Sequence, residues 1–313
     1  MRGKHVLRVG VTALIASVIL LRVPVQALQS AFTGIKFGWL IAALGCVAAM
    51  LAARCYRWHR LLSAGGLSTT RADSARSLMA GFTLSVVTPG RLGEFGRCLF
   101  VEESDRPPVL MLNVFDRILD MWALFSCAVL GLMALSPRPH GIFALGIWLA
   151  VLPAAMGLPT FVGHLGDIPW WPVGLRARLR EARHRLLPIS TPDFAGWALL
   201  STSFDLLTFY CLLRAFQPVS LLAVLTTFPF IVIAGGMPIS ISGLGPREGL
   251  AAILLARYGV PSAVAIDATL LLWAFSALAP AAVGAIWLAV SGSTLPRFSF
   301  SDDCTDVADK QSA

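Results

Sequence analysis

The sequence has little charge and lacks the motifs of several large protein classes. Only 13% of its 313 residues are charged, and it contains no G-x-x-x-x-G-K-[ST] loop, which argues against a built-in ATP motor. Its five histidines show no H-x-x-x-H or H-E-x-x-H spacing, and its six cysteines form no C-x-x-C pair. We therefore expect no metal site and no cofactor, with the cysteines acting as small buried apolar residues.

Apolar residues dominate instead. They make up 57% of the sequence, and a mean hydropathy of +0.75 is typical of polytopic membrane proteins rather than soluble ones. The formal net charge of +8 lies in a few arginine clusters, without the aromatic interleaving of a nucleic-acid surface. The sequence thus predicts contact with anionic lipid and excludes nucleic acid as a partner.

Long apolar runs predict an all-α, polytopic integral membrane protein. A crossing of the hydrocarbon core needs about 20 apolar residues, and seven runs approach that length. Two shorter runs interrupted by Pro and Gly predict re-entrant or broken helices. We expect one transmembrane domain over 1–290 and a disordered polar tail over 291–313; cleavage of the first run as a signal peptide is the weaker alternative to a retained span. The seven runs are 9–28, 37–53, 109–135, 141–163, 194–213, 219–236 and 264–290, and the two broken helices are 77–90 and 237–245.

Arginine clusters orient these spans. Basic residues precede the first run, follow the second and follow the fourth, which places all three groups and the N-terminus in the cytoplasm. This arrangement requires 77–90 to enter and leave on one face. The third cluster alternates with leucines over 175–186, which predicts a helix on the cytoplasmic interface that acts as an anchor or, less favoured, binds lipid headgroups.

Both broken segments present arginine and glutamate together. In each, Gly and Pro interrupt a helix and leave backbone N–H groups free. A guanidinium stays charged and binds two phosphate oxygens at once, so these segments suit a lipid phosphate. Paired interrupted segments also indicate the substrate site of a transporter. The predicted substrate-binding residues are Gly90, Arg91, Gly93, Glu94 and Arg97 in the first segment and Gly243, Gly245, Arg247 and Glu248 in the second.

Several alternatives stay open for these segments. Glu94 and Glu248 either orient the arginines or accept a cationic headgroup. Each Arg–Glu couple also suits a purely structural role as a self-satisfied pair that caps a broken helix. The two segments resemble each other, but their different distances from the preceding span leave a true internal repeat undecided.

Four charged residues inside apolar spans require compensation, because a charge at the membrane centre costs about 2.5–3.5 kcal/mol on insertion scales. Asp116 and Asp120 share a helical face, whereas Arg117 is expected to point away by about 100°. They form either an ion pair between spans or a carboxylate face lining a cavity near Arg91 or Arg97. Asp205, flanked by Ser and Thr, is either a satisfied packing carboxylate or a proton-coupling group.

These motifs together resemble the flippase-like family typified by the transmembrane region of lysylphosphatidylglycerol synthase. The similarity rests on Arg57-Trp58 followed by Gly65-Gly66, on the motif from Pro89 to Glu94 with Arg97, on Arg117 and Asp120, and on the motif from Gly243 to Gly249. It covers about residues 10 to 290. The resemblance implies movement of phospholipid or lipid-linked intermediates between leaflets. Pro246 stands where that family usually has an aliphatic residue, and a soluble aminoacyl-transfer domain is absent, so we do not expect synthase activity.

We therefore expect a non-enzymatic translocase of a phospholipid or an aminoacyl, glycosyl or polyprenyl lipid intermediate. Its expected location is the cell membrane, the inner membrane of a bacterium. One alternative is a membrane-embedded lipid transferase with Glu94 or Asp120 as general base. The other is a non-catalytic partner of a lipid synthase or glycosyltransferase.

Overall fold

Helices make up the fold, and the described part of the chain contains no strand. The computed structural model describes residues 35–88, 91–101, 106–135, 164, 167, 173–187, 189, 191–237 and 244–290. The α-helices are α1 (Phe37–Ala64), α2 (Arg71–Val87), α3 (Arg106–Leu135), α4 (Val173–Leu186), α5 (Thr191–Phe216), α6 (Leu221–Gly236), α7 (Pro246–Ala256), α8 (Ser262–Trp273) and α9 (Ala279–Val290). A 3₁₀ helix (Leu92–Phe100) lies between α2 and α3, and a π-helical turn (Ala274–Leu278) joins α8 to α9.

Four helices in the described ranges are long and apolar enough to cross a membrane: Phe37–Ala64, Val109–Leu135, Pro192–Phe216 and Ser262–Val290. They coincide with four predicted spans and confirm the all-α membrane fold. The predicted span 219–236 corresponds to α6, which is apolar but only 16 residues long. The predicted spans 9–28 and 141–163 and the tail 291–313 lie outside the described residues.

The helices α1 and α5 form an antiparallel pair. Lys36 N donates to Ala215 O at one end (3.0 Å), and the rings of Tyr56 and Trp197 pack 4.6 Å apart nearer the other. The sequence placed the end of this span at residue 53, but α1 continues to Ala64. Its second half therefore carries arginines that the sequence had assigned to a cytoplasmic segment.

The first interrupted segment folds as an antiparallel hairpin of α2 and the 3₁₀ helix. Ser77 Oγ donates to Arg97 O (3.0 Å), and a Cβ on Gly81 would lie 2.9 Å from the Cβ of Arg97. Nearer the turn, a Cβ on Gly93 would collide with the backbone carbonyl of Leu84. Glycine is therefore required for the close approach of the two arms. The hairpin has the break that the sequence predicts; its return to the same membrane face stays a prediction.

The second interrupted segment also folds as a hairpin, formed by α6 and α7. Pro229 lies within α6, and the chain re-enters a helix at Gly245, whose φ of 100° is accessible mainly to glycine. Pro246 takes the first helical position, where its missing N–H has no cost. The side chain of Arg247 then packs against Gly235 of α6, within about 4 Å of a Cβ placed there.

Each hairpin packs against a helix from the other half of the chain. α9 packs on α2, where Thr83 Oγ1 donates to Ala281 O (2.8 Å) and Gly284 leaves no room for a Cβ. α3 packs on α6, where a Cβ on Gly131 would lie 2.9 Å from Leu225 O. α3 is a continuous helix, but the predicted span 264–290 is divided by the π-helical turn.

The basic helix predicted over 175–186 is α4. Its apolar residues Leu179, Ala182 and Leu186 are buried in the protein core beside α3. Arg180 and Arg183 are exposed on the opposite side. This apolar face is therefore covered by protein rather than offered to a membrane surface; the position of the helix at the cytoplasmic interface stays a prediction.

Candidate functional site

Arg91 begins the 3₁₀ helix in a strained position. Its φ of 59° and ψ of 24° are left-handed, and it is the one non-glycine residue with positive φ among those described. Such a conformation costs roughly 1–2 kcal/mol and persists only where the surroundings enforce it. Arg91 Nη2 lies 2.8 Å from Glu94 Oε1, and the other oxygen of Glu94 accepts from Arg117 on α3. Glu94 therefore holds two arginines at once.

Arg247 takes the corresponding place in the second hairpin. Glu248 Oε1 accepts from its Nη2 (2.5 Å) and Nε (3.1 Å), and Glu248 Oε2 accepts from the backbone N of Gly245 (2.6 Å). Glu248 thus caps the start of α7 while it binds the adjacent guanidinium. This geometry matches the structural alternative for the second segment, in which Arg247 and Glu248 pair with each other and cap a broken helix.

Behind Arg91, charged side chains from three elements form a buried network. Asp116 lies between Arg57 Nε (2.8 Å) and Arg97 Nη2 (2.6 Å). Asp120 accepts from Arg57 Nη2 (2.5 Å) and lies 3.2 Å from Arg117 Nη2. The shared face of the two aspartates is confirmed because both contact Arg57. The expectation that Arg117 points away is wrong: its long side chain turns back to reach Asp120 and Glu94.

Arg97 is held by an aromatic residue as well. Its guanidinium carbon lies 3.9 Å from the ring centroid of Trp58, a cation–π contact. Trp58 Nε1 donates to Ser77 Oγ (3.1 Å), and Ser77 in turn donates to the backbone of Arg97. The α1–α2 junction therefore fixes both ends of this arginine.

Arg54 and Asp205 form a separate pair between α1 and α5. Arg54 Nη2 donates to Asp205 Oδ2 across 2.7 Å, and both side chains are largely buried. Asp205 is therefore a paired carboxylate, which agrees with its interpretation as a packing group.

A cavity lies between the two hairpins, and α1, α3, α5, α8 and the π-helical turn complete its wall. Its volume is about 100 Å³. Its charged wall comprises four arginines and two aspartates, and its remaining wall is mainly apolar. The cavity is lined by Arg54, Arg91, Arg117, Asp120, Met121, Leu124, Thr202, Asp205, Phe228, Val232, Gly235, Arg247, Leu272, Trp273, Ser276 and Ala277.

The predicted site residues divide into three groups by position. Those on the cavity wall are Arg91, Arg117, Asp120, Asp205 and Arg247. A second group lies behind the cavity wall, where its members contact the wall residues or each other: Glu94, Arg97, Asp116 and Glu248. Gly93 serves the hairpin's close packing and Gly245 the helix cap, while Gly90 and Gly243 lie outside the described residues.

The sequence interpretation missed two arginines of this site. Arg54 lines the cavity and Arg57 is 1% exposed, although both had been assigned to a cytoplasmic cluster. The spacing of these arginines along the sequence could have predicted that they face the protein interior. Arg54, Arg57 and Trp58 follow a helical period that continues through the buried pair Leu61 and Leu62, which shows one helix face turned inward.

The π-helical turn was also absent from the sequence interpretation. Trp273, Ser276 and Ala277 from this region line the cavity, and Pro280 just beyond it lacks an N–H for the preceding turn. π-Helical turns occur frequently at functional sites. Within the described ranges, no group of three or more His, Cys, Asp or Glu side chains is arranged to hold a metal ion.

Sequence comparison agrees with this architecture. The family model of the lysylphosphatidylglycerol synthase TM region matches residues 5–284. The chain belongs to that family. No curated protein matches the sequence. Family membership indicates a membrane protein in lipid-related processes, and the match extends over both hairpins and every residue of the charged network.

Proposed function

We propose that this chain moves a phospholipid or a lipid-linked intermediate between membrane leaflets. The observation that carries the proposal is the cavity between the two hairpins, whose wall combines four arginines with an apolar remainder. Guanidinium groups suit the phosphate of a headgroup, and the apolar wall suits the glycerol backbone and the start of the acyl chains. We place it in the cell membrane, and the arginine distribution supports a cytoplasmic N-terminus.

Transport without chemical modification fits the state of the carboxylates. Glu94 contacts Arg91 and Arg117, and Asp120 contacts Arg57 and Arg117. A general base needs a free carboxylate within reach of its substrate. Carboxylates occupied by two guanidiniums each are better suited to positioning arginines than to removing protons, which favours translocation over the transferase alternative.

The test uses the purified full chain in proteoliposomes with a tail-labelled fluorescent phosphatidylglycerol. The fraction of label accessible to an impermeant quencher is followed over time. We expect the wild type to exchange label between leaflets faster than protein-free vesicles, and Arg91→Gln to lower that rate at least about tenfold, since a bidentate charged contact is lost. Arg180→Gln, an exposed arginine of α4, provides the matched control and should exchange at the wild-type rate.

Two results would reject the proposal. One is a wild-type exchange rate equal to that of empty vesicles for this lipid and for aminoacylated and glycosylated lipids. The other is a chemically altered lipid in the mass spectrum after incubation, which would establish a transferase.

A further inference from the structure

The charges around Arg91 do not balance. Within the described residues, the contacts of the buried network join four arginines but only three carboxylates. The other two ion pairs on the cavity wall, Arg54–Asp205 and Arg247–Glu248, are each neutral. Among the described residues, this network therefore has one net positive charge. The members of the network are Arg57, Arg91, Arg97 and Arg117 with Glu94, Asp116 and Asp120.

The geometry localises this surplus at Arg91 and Arg117. Arg57 and Arg97 are each 1% exposed and contact aspartates in the protein interior. Arg91 and Arg117 are 30% and 24% exposed, line the cavity and share Glu94. Arg57 and Arg97 also have nitrogens without a hydrogen-bond partner, but both side chains lie in the protein interior. Arg91 and Arg117 are therefore the two guanidiniums of the network that a ligand in the cavity can contact.

Arg247 differs from them despite its similar place in the second hairpin. Two of its nitrogens already donate to Glu248, and that carboxylate also caps α7. Arg247 is also only 9% exposed, against 30% for Arg91. The anion therefore belongs on the Arg91 side of the cavity.

An uncompensated charge in a membrane-embedded cavity is costly, and a ligand that removes it gains that free energy. A headgroup with one negative charge makes the site neutral. A neutral headgroup leaves the surplus, and a headgroup with two negative charges reverses it.

We infer that the site selects a lipid whose headgroup carries a net charge of −1, that is, a single phosphodiester without a compensating amine. This inference rests on the proposed function and narrows it. Diphosphate-linked lipids, zwitterionic phospholipids and lysylated phosphatidylglycerol, whose two ammonium groups outweigh its phosphate, fit less well. The preferred cargo thus differs in charge from the lipid for which the family is named.

The experiment measures equilibrium binding of short-chain lipids to the purified full chain in detergent at about pH 8, where a phosphomonoester carries nearly two charges. The probes share dihexanoyl chains: phosphatidylglycerol for −1, phosphatidylcholine for zero and phosphatidate for nearly −2. We expect the wild type to bind phosphatidylglycerol on the order of tenfold more tightly than either of the others.

Charge variants sharpen the test. Glu94→Gln raises the surplus to two positive charges and should shift the preference to phosphatidate. Arg91→Gln removes the surplus and should abolish the advantage of phosphatidylglycerol over phosphatidylcholine. Glu181→Gln changes charge equally but on the exposed surface of α4, and should keep the wild-type order.

The inference is overturned if wild-type protein binds phosphatidylcholine or phosphatidate as tightly as phosphatidylglycerol. It is also overturned if Arg91→Gln keeps the preference, which decides the matter even where Glu94→Gln fails to fold. If the chain exchanges lipid between leaflets but binds the three probes equally, the inference is rejected and the proposed function stands. A clear preference for phosphatidylglycerol without leaflet exchange rejects the proposed function alone.

Discussion

Arg97 Nη2 lies 2.6 Å from Asp116 Oδ2, and both side chains are almost completely buried. This contact joins the returning arm of the first hairpin to the long helix α3. Because Asp116 also contacts Arg57 of α1, a single carboxylate ties three elements together. The position of Arg91 at the start of the same 3₁₀ helix depends on this arrangement.

Asp116→Asn should therefore be severely destabilising. Removing one partner of a buried ion pair leaves the other charge uncompensated, which typically costs about 3–5 kcal/mol. Chemical unfolding in detergent, followed by circular dichroism, measures the loss. Asp73→Asn is the control, because Asp73 pairs with Arg76 at the exposed start of α2 and should change stability by less than about 1 kcal/mol. Equal effects at both positions would show that the buried network does not support the fold.

A second prediction concerns the close approach within the first hairpin. Gly93→Ala should destabilise the chain by about 1–3 kcal/mol or more, because the added Cβ meets the backbone of Leu84, which cannot rotate away. Gly249→Ala in the first turn of α7 is the matched control. Nothing lies within 4 Å of a Cβ there, and alanine favours a helix, so its stability should be unchanged or slightly higher. Thermal unfolding in detergent compares the two, and a tolerated Gly93→Ala would contradict the hairpin packing.

The sequence predicted the chemistry of the site better than its geometry. Charges and helix breakers inside apolar sequence are costly enough to mark Arg91, Glu94, Asp116 and Asp120 without any structure. The all-α fold followed from run length and hydropathy. Family membership was also accessible, because its motifs include the same costly residues.

The missed features depend on long-range contacts. Hydropathy falls at Arg54, so the span appeared to end there, whereas α1 continues because aspartates from α3 and α5 compensate its arginines. Arg117 contacts Glu94 and Asp120 despite its offset around the helix, because its side chain is long enough to reach them.

The orientation of α1 gives a third prediction. Its ends present Lys36 and Ser63, both exposed, and a positive-inside arrangement places the arginine-rich end in the cytoplasm. In a cysteine-free background, Lys36→Cys should react with an impermeant maleimide in intact cells, whereas Ser63→Cys should react only after permeabilisation. The opposite pattern would reverse the proposed orientation of the whole chain.

Variants of the pair Arg54–Asp205 test whether the lipid preference depends on the net charge of the cavity or on a direct contact with Arg54. Arg54→Gln alone removes the surplus positive charge of the cavity, and Asp205→Asn alone increases it to two. The double variant Arg54→Gln/Asp205→Asn leaves the surplus at one. If net charge selects the lipid, the first variant should lose the preference for dihexanoyl phosphatidylglycerol and the second should favour phosphatidate. The double variant should restore the wild-type order, although two side chains of the cavity wall have changed. The same binding titration measures all three, and a double variant that behaves like Arg54→Gln would mean that Arg54 contacts the lipid itself.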